Sequence, residues 1–350
     1  WWGRSEIGIM GMIRRGKLPA MRLGRAVSGR PVEGKGLSES FLARVALLGV
    51  WALMAGVFAV VEPSRFLSSG TFTTIFGSQT YLVFLTLALF CTLLVGEFVD
   101  LSIASVLGLC AVIVPVLVSS HGWDPWLACV VAVLAGVFAG AINGFVVVFL
   151  GINPIVVTLG MSTFLLGVAL FLTDMQLVSM NAEGFGGWVN YGVLGLPLGF
   201  WYGAVVVGIV AYVVSFTPLG RYLRAVGSNQ EVSRLAGVRV NRLRFGAFVM
   251  AGLFAGVGGV LSVASSGGFD PNSSQTYLLP TFASVFLGTA VIEPGRFNPV
   301  GSFVAIYFLE TGIVGLQLLG ASGWISDVFY GAVLVVAVTI STLIGRRKLG

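Results

Sequence analysis

Thr217-Pro218-Leu219-Gly220-Arg221-Tyr222-Leu223-Arg224-Ala225-Val226-Gly227-Ser228-Asn229-Gln230-Glu231-Val232-Ser233-Arg234-Leu235-Ala236-Gly237 is a basic, polar island between two apolar runs, 198–216 and 245–264. Each run approaches the length of about 20 apolar residues that a helix needs to cross the hydrocarbon of a bilayer. Inside the island, Ser228-x-x-Glu231 has the form of a capping box and predicts a helix start. Gly237 after Ala236 predicts its stop. A helix of about two turns is unstable alone in water and must pack on something. Val232 and Leu235 give it a small apolar face, with Arg221, Arg224 and Arg234 around it. Two readings fit these residues: an amphipathic helix lying on a membrane surface, or a knob that inserts into a partner protein.

The rest of the chain sets the context. Of 350 residues, 57% are apolar and 10% charged, whereas an ordinary soluble domain carries about 25% charged residues. This composition excludes a soluble enzyme and predicts an all-α, multi-pass membrane protein. Three cysteines and one histidine, His121, argue against a disulfide scaffold and a zinc site. The apolar residues come in long runs, not in the alternating strands of a transmembrane barrel. Ten runs read as spans: 41–61, 79–96, 101–118, 125–149, 152–172, 198–216, 245–264, 278–292, 299–319 and 324–344. Those at 101–118 and 278–292 are short enough to be broken or partial. The expected organisation is a mobile basic tail over 1–40, a membrane domain over 41–345 with its polar loop at 217–244, and a basic end at 346–350.

Charge placement tests the count. With ten spans the tail, the 217–244 loop and the C-terminus share one side, because six and then four spans separate them. Nineteen of the twenty Lys and Arg then lie on that side, with Arg65 alone opposite. The positive-inside rule makes that side cytoplasmic. The net charge of +6 is thereby explained without nucleic acid, and the tail is expected to touch anionic lipid. The opposite loops are 62–78, 119–124, 173–197, 265–277 and 320–323. The longest carries Glu183-Gly184-Phe185-Gly186-Gly187-Trp188, which fits a docking surface or a loop resting on the membrane interface.

Gly136, Gly140 and Gly144 recur every four residues, and Gly252-x3-Gly256 does the same in a later span. Such spacing lets helix backbones approach closely. Asn153-Pro154 and Asn298-Pro299 predict capped helix starts. Glu97, Asp100 and Glu310 are the acids in or near the spans. Glu310 lies about eleven residues into its run, or about 16 Å, near the midplane, where an ionisable group is a functional hypothesis by default. Tyr307 and Gln317 fall on roughly the same face. Carboxylate, phenol and amide suit the hydroxyls of a sugar, and they also suit a packing contact between helices. Asp100 reads as a cap for a helix starting at Leu101 or as part of a path. Asn143 and Thr158 line that path or bridge helices.

Six stretches, in order, resemble the membrane permeases of ribose- and xylose-type ABC importers over about residues 80–341. They are Asp100-Leu101-Ser102 with Ser105-Val106-Leu107-Gly108-Leu109; Ile142-Asn143-Gly144; Thr158-Leu159-Gly160-Met161; the central Gly220-Arg221-Tyr222, Ala225-Val226-Gly227-Ser228-Asn229 and Leu235-Ala236-Gly237-Val238; Pro294-Gly295-Arg296-Phe297-Asn298; and Gly315-Leu316-Gln317-Leu318-Leu319-Gly320. The chain departs from that family at Gly96-Glu97-Phe98-Val99, where a glycine-rich turn is usual. The resemblance implies a permease that works as a pair with a second copy or a related chain. A separate ATPase subunit uses ATP on the cytoplasmic face, and an extracytoplasmic binding protein delivers the sugar. It also implies a coupling helix over Ser228–Gly237, with Ser228, Asn229, Gln230, Glu231, Arg234, Leu235 and Gly237 meeting the ATPase. Asp100, Ser102, Asn143, Thr158, Tyr307, Glu310 and Gln317 become candidates for the translocation path.

The chain lacks Gly-x4-Gly-Lys-Ser/Thr, the loop that cradles ATP phosphates, so the ABC permease that the resemblance implies would have to borrow its ATPase. No nucleophile–histidine pairing or metal-ligand cluster stands out, which argues against catalysis and against a cofactor in this chain. The main rival is a secondary transporter coupled to protons through Glu310, Asp100 or Glu97. It accounts for the membrane acids but not for the capped helix in the basic loop. The expected location is the inner membrane of a prokaryote.

Overall fold

Each of the ten apolar runs carries a helix among the described residues. The structure, a computed structural model, describes residues 37–97, 99–180, 182, 184–289 and 295–347. Residues 1–36 of the tail expected over 1–40, Phe98, Glu183, residues 290–292 of the run expected at 278–292, Pro294, and residues 348–350 of the end expected over 346–350 lie outside the described residues; residues 37–40 open the first helix and 346–347 close the last. In chain order the helices are α1 (Leu37–Val61), α2 (Pro63–Phe66), α3 (Ser69–Thr73), α4 (Thr80–Leu94), α5 (Ile103–Pro115), α6 (Pro125–Val148), α7 (Pro154–Leu172), α8 (Gly187–Asn190), α9 (Leu198–Phe216), α10 (Pro218–Ser228), α11 (Gln230–Leu235), α12 (Val240–Ser266), α13 (Leu278–Gly288), α14 (Pro299–Leu318) and α15 (Trp324–Arg347). Wide π-type turns continue α3 through Thr74–Ser78 and α5 through Val116–Ser120.

Among the described residues, seven helical stretches are long and apolar enough to cross a membrane: Ser69–Leu94, Ile103–Ser120, Pro125–Val148, Pro154–Leu172, Leu198–Phe216, Val240–Ser266 and Pro299–Leu318. Leu47–Val61 and Trp324–Thr339 are shorter apolar helices. The run expected at 101–118 is one of the seven, because its π turn extends it. The run expected at 278–292 is not: α13 has only 11 residues. A 3-10 stretch, Pro271–Tyr277, precedes it. Pro271 and Ser274 are buried there, and Ser274 lies so close to Gly108 of α5 that a Cβ at Gly108 would come within 2.5 Å of it. α5 and α7 cover this stretch.

α12 organises the bundle, packing most extensively on α6, α4 and α5. The reason is the glycine pattern. A Cβ at Gly252 would sit 2.2 Å from the Gly136 carbonyl oxygen, and one at Gly140 would sit 2.4 Å from that of Phe248. The two backbones touch where no side chain intervenes, as the spacing predicts. Helix starts follow their caps. Asn153 accepts from the Ile155 N–H at 2.9 Å, Asn298 from Val300 at 2.9 Å and Asp124 from Trp126 at 2.9 Å. Each precedes a proline at the first turn, where the missing N–H costs no hydrogen bond.

Candidate functional site

The island that separates α9 from α12 folds as two helices, one more than its residues suggest. Thr217 caps α10, its hydroxyl accepting from the Gly220 N–H and donating to the Val213 carbonyl at 2.6 Å. α10 buries Val226 against Val95, Val240 and Ala247. Gly227 lies against the end of α4, where a Cβ would come 2.2 Å from the Leu94 carbonyl oxygen. Ser228 ends α10, and its hydroxyl donates to the Arg224 carbonyl at 2.9 Å. The capping box expected at Ser228 therefore does not form. Asn229, extended at φ −161°, is the cap of α11, its Oδ1 accepting from the Val232 N–H at 3.0 Å. The physical reason is that α10 continues through Ser228 and leaves the next residue to break the chain.

Glu231 pairs with Arg234 at 3.2 Å on an exposed surface, an arrangement that stabilises little. Gly237 (φ +82°) closes the helix. Ser233 is the buried member of α11. Val232 is 60% exposed and Leu235 88%. The apolar face therefore points away from the rest of the chain, while Gln230 is half-buried and Ser228, Asn229 and Gly237 are exposed.

The α4–α5 turn meets this loop directly. Gly96, at φ +85°, lies against the Gly227 backbone, and Glu97 accepts a hydrogen bond from Arg244 in the first turns of α12. Both partners are mostly buried. Three residues on, Asp100 is 2% exposed. Its Oδ1 accepts from the N–H and hydroxyl of Ser102 at 3.0 and 2.7 Å. It does not cap a helix at Leu101, since α5 begins at Ile103. Burial pushes the Asp100 carboxyl above its ordinary value, opposed by the two bonds from Ser102. Asn143 of α6 donates to the Ser102 hydroxyl at 2.8 Å. The Asn143 Oδ1 and the buried Thr158 hydroxyl lack partners among the described residues.

One turn along α5 lies a second cluster. Ser105 and Ser162 share a hydrogen bond of 2.8 Å, and Gln275 donates to Ser105 at 2.6 Å and to Ser162 at 3.3 Å. Thr158 precedes Ser162 by four residues on α7, hence on the same face. The structure thus joins Asp100, Ser102 and Asn143, and adds Ser105, Ser162 and Gln275. Sequence reasoning passed over Gln275 because it counted 265–277 as an outside loop. The brevity of the apolar run after Tyr277 was the available signal.

Tyr307 and Glu310 belong to a different neighbourhood, since α14 packs mainly on α13, α4, α9 and α15. Glu310, 2% exposed, accepts from the Tyr330 hydroxyl at 2.7 Å. The Tyr307 ring packs among Phe76, Phe200 and Phe303 with centroids 4.9–5.4 Å away, and its hydroxyl is unpartnered among the described residues. Gln317 is exposed near the far end of α14 and joins neither group. In the 173–197 loop, Phe185 and Trp188 pack on Trp126 with centroids 5.3 and 5.5 Å away. Tyr191 and Leu194 are exposed.

Residues 71–338 match the family described as branched-chain amino acid transport system / permease component. The chain is 26% identical to the D-allose transport system permease protein AlsC of Escherichia coli, over 85% of this chain and 91% of the relative. It is 28% identical to the ribose import permease protein RbsC of Haemophilus influenzae, over 72% and 79%. It is 30% identical to the autoinducer 2 import system permease protein LsrC of Photorhabdus laumondii, over 83% and 86%. No solved structure matches the chain.

Proposed function

The chain belongs to the branched-chain amino acid transport system / permease component family, and from that premise we propose that it is the membrane subunit of an ABC importer for a sugar, a pentose or related monosaccharide. The observation that carries the coupling role is α11: a capped helix in the basic loop with Leu235 turned outward. Val232 and Leu235, three residues apart and both exposed, form an apolar patch that a cleft in a separate ATPase subunit would cover. Motion of α11 passes to α10, from Gly227 to Gly96, and through the Glu97–Arg244 pair to the turn that holds Asp100 and Ser102. ATP binding and hydrolysis in the partner thereby reorient the helices in alternating access.

The choice of cargo follows from the polar clusters. Ser102, Asn143, Ser105, Ser162 and Gln275 supply neutral donors and acceptors, and the unpartnered Asn143 Oδ1 and Thr158 hydroxyl ask for more. Such groups suit the hydroxyls of a neutral sugar. An amino acid would ask for a cation opposite its carboxylate. The relatives named for allose and ribose support the same reading. Ten spans, both termini and the α10–α11 loop on the cytoplasmic side, a paired permease, a delivering binding protein at the 173–197 face and a prokaryotic inner membrane complete the proposal.

Uptake of radiolabelled ribose and allose into proteoliposomes holding the chain, its ATPase and its binding protein tests it. ATP is expected to drive uptake in the wild type and in Glu310→Gln. A proton gradient that drives uptake without ATP, and fails in Glu310→Gln, would replace this reading with the proton-coupled one.

A further inference from the structure

Outside the site described above, an apolar slot of about 470 Å³ opens between α4, α9 and α12. It exists because α9 and α12 both pack on α4 but barely on each other. Cys91 of α4, Ile209 and Val213 of α9, Leu219 of α10 and Gly246 and Met250 of α12 are among its walls, and Arg242 is the one charged residue lining it. The α9 residues that line it, Val206 to Val214, lie within the last eleven residues of a helix ending at Phe216. At 1.5 Å per residue this is up to about 15 Å from the end, the hydrocarbon depth of about one leaflet.

The polar end of the slot is also built. Arg242 and Leu243 are shared with an adjoining cup whose other walls include Tyr222, Gly237 and Arg239. Among the described residues, neither Arg239 nor Arg242 has an acidic partner. Tyr222 is half exposed beside them, as a tyrosine at a membrane interface tends to be. A one-leaflet apolar slot that ends on two unpaired arginines has the dimensions and charge of one ligand class. We propose that it holds one anionic phospholipid, with an acyl chain in the slot and the phosphate on Arg239 and Arg242. The matching loop of a second copy is a poor occupant of the cup, since it would bring its own arginines, Arg221, Arg224 and Arg234 among them, to a cationic site. Because α10 roofs the slot and leads into α11, the lipid becomes part of the support of the coupling loop. The inference rests on the reading of the helices as membrane spans. It is independent of cargo and of ATP.

The test is native mass spectrometry of the full chain in mild detergent, titrated with phosphatidylglycerol or with phosphatidylethanolamine of the same acyl chains. The wild type is expected to retain one phosphatidylglycerol per chain with about a tenfold or greater preference, from two arginines at a membrane surface. Arg239→Gln with Arg242→Gln is expected to erase the preference. Gly246→Leu fills the slot and is expected to lower retention of both lipids. A Cβ at Gly246 meets nothing within 4 Å, and leucine favours helix over glycine, so this variant folds even where the arginine variant does not. Equal retention of the two lipids by the wild type, unchanged phosphatidylglycerol retention in Gly246→Leu, or displacement of the lipid by glycerol phosphate at equal concentration would each overturn the proposal.

Discussion

Asp100 shows how one buried carboxyl sets a local turn. Its Oδ1 holds both the N–H and the hydroxyl of Ser102, and Asn143 reaches the same hydroxyl. An amide oxygen accepts the same bonds, so Asp100→Asn should fold and insert normally while Asp100→Leu loses thermal stability in detergent. The pH dependence carries a sign. Because burial raises the folded-state pKa above the ordinary 3.8, the associated stability is fully present below that value and is lost as pH rises through the raised one. Stability of the wild type relative to Asp100→Asn should therefore climb as pH falls from neutral toward 4, as thermal unfolding would record. Glu97 and Arg244 behave differently, since removing one partner of a buried pair leaves a bare charge, at a cost of about 3–5 kcal/mol. Glu97→Leu alone and Arg244→Met alone should each lower the melting temperature strongly, and the double variant should recover much of the loss. A simple sum of the two losses would remove the pair from the link between loop and turn.

At the scale of elements, the α6–α12 crossing and the α10–α11 hinge decide most. That α6 and α12 each meet another backbone closely was legible from glycine at every fourth position, but that they meet each other was not. Gly252→Val should cost about 1–3 kcal/mol or more, since the obstructing atom is the Gly136 carbonyl oxygen and not a side chain that can turn. Gly167→Ala, with open space around it, is the control and should leave the melting temperature unchanged or raised. The hinge was legible only in part. Gly237 ends α11 as its residue type predicts, but Ser228 and Asn229 are both good caps. Which one breaks the chain is decided by how far α10 runs, and that depends on Gly227 docking against α4. Gln275 was missed for a related reason. The 3-10 dip over Pro271–Tyr277 has no helical periodicity, and its burial comes from α5 and α7, far away in sequence.

For the whole molecule, the span bounds read from apolar runs agree with the helices to within a few residues almost everywhere, because hydrocarbon thickness constrains helix length directly. Sidedness is a separate matter of charge. In a cysteine-free background, Asn229→Cys should react with an impermeant maleimide only from the cytoplasmic side and Asn190→Cys only from the opposite side. Labelling of both from one side would break the ten-span arrangement. In the proposed importer, α11 hands its exposed apolar face to an ATPase. The most direct measurement places a photo-crosslinking amino acid at Leu235 in the native membrane and identifies what it captures. A single adduct with a separate P-loop ATPase, lost when α11 is unfolded by Ser233→Pro while the chain still inserts, is the predicted result. Capture of lipid alone, with the chain folded and no ATPase adduct in energised or de-energised membranes, would contradict it.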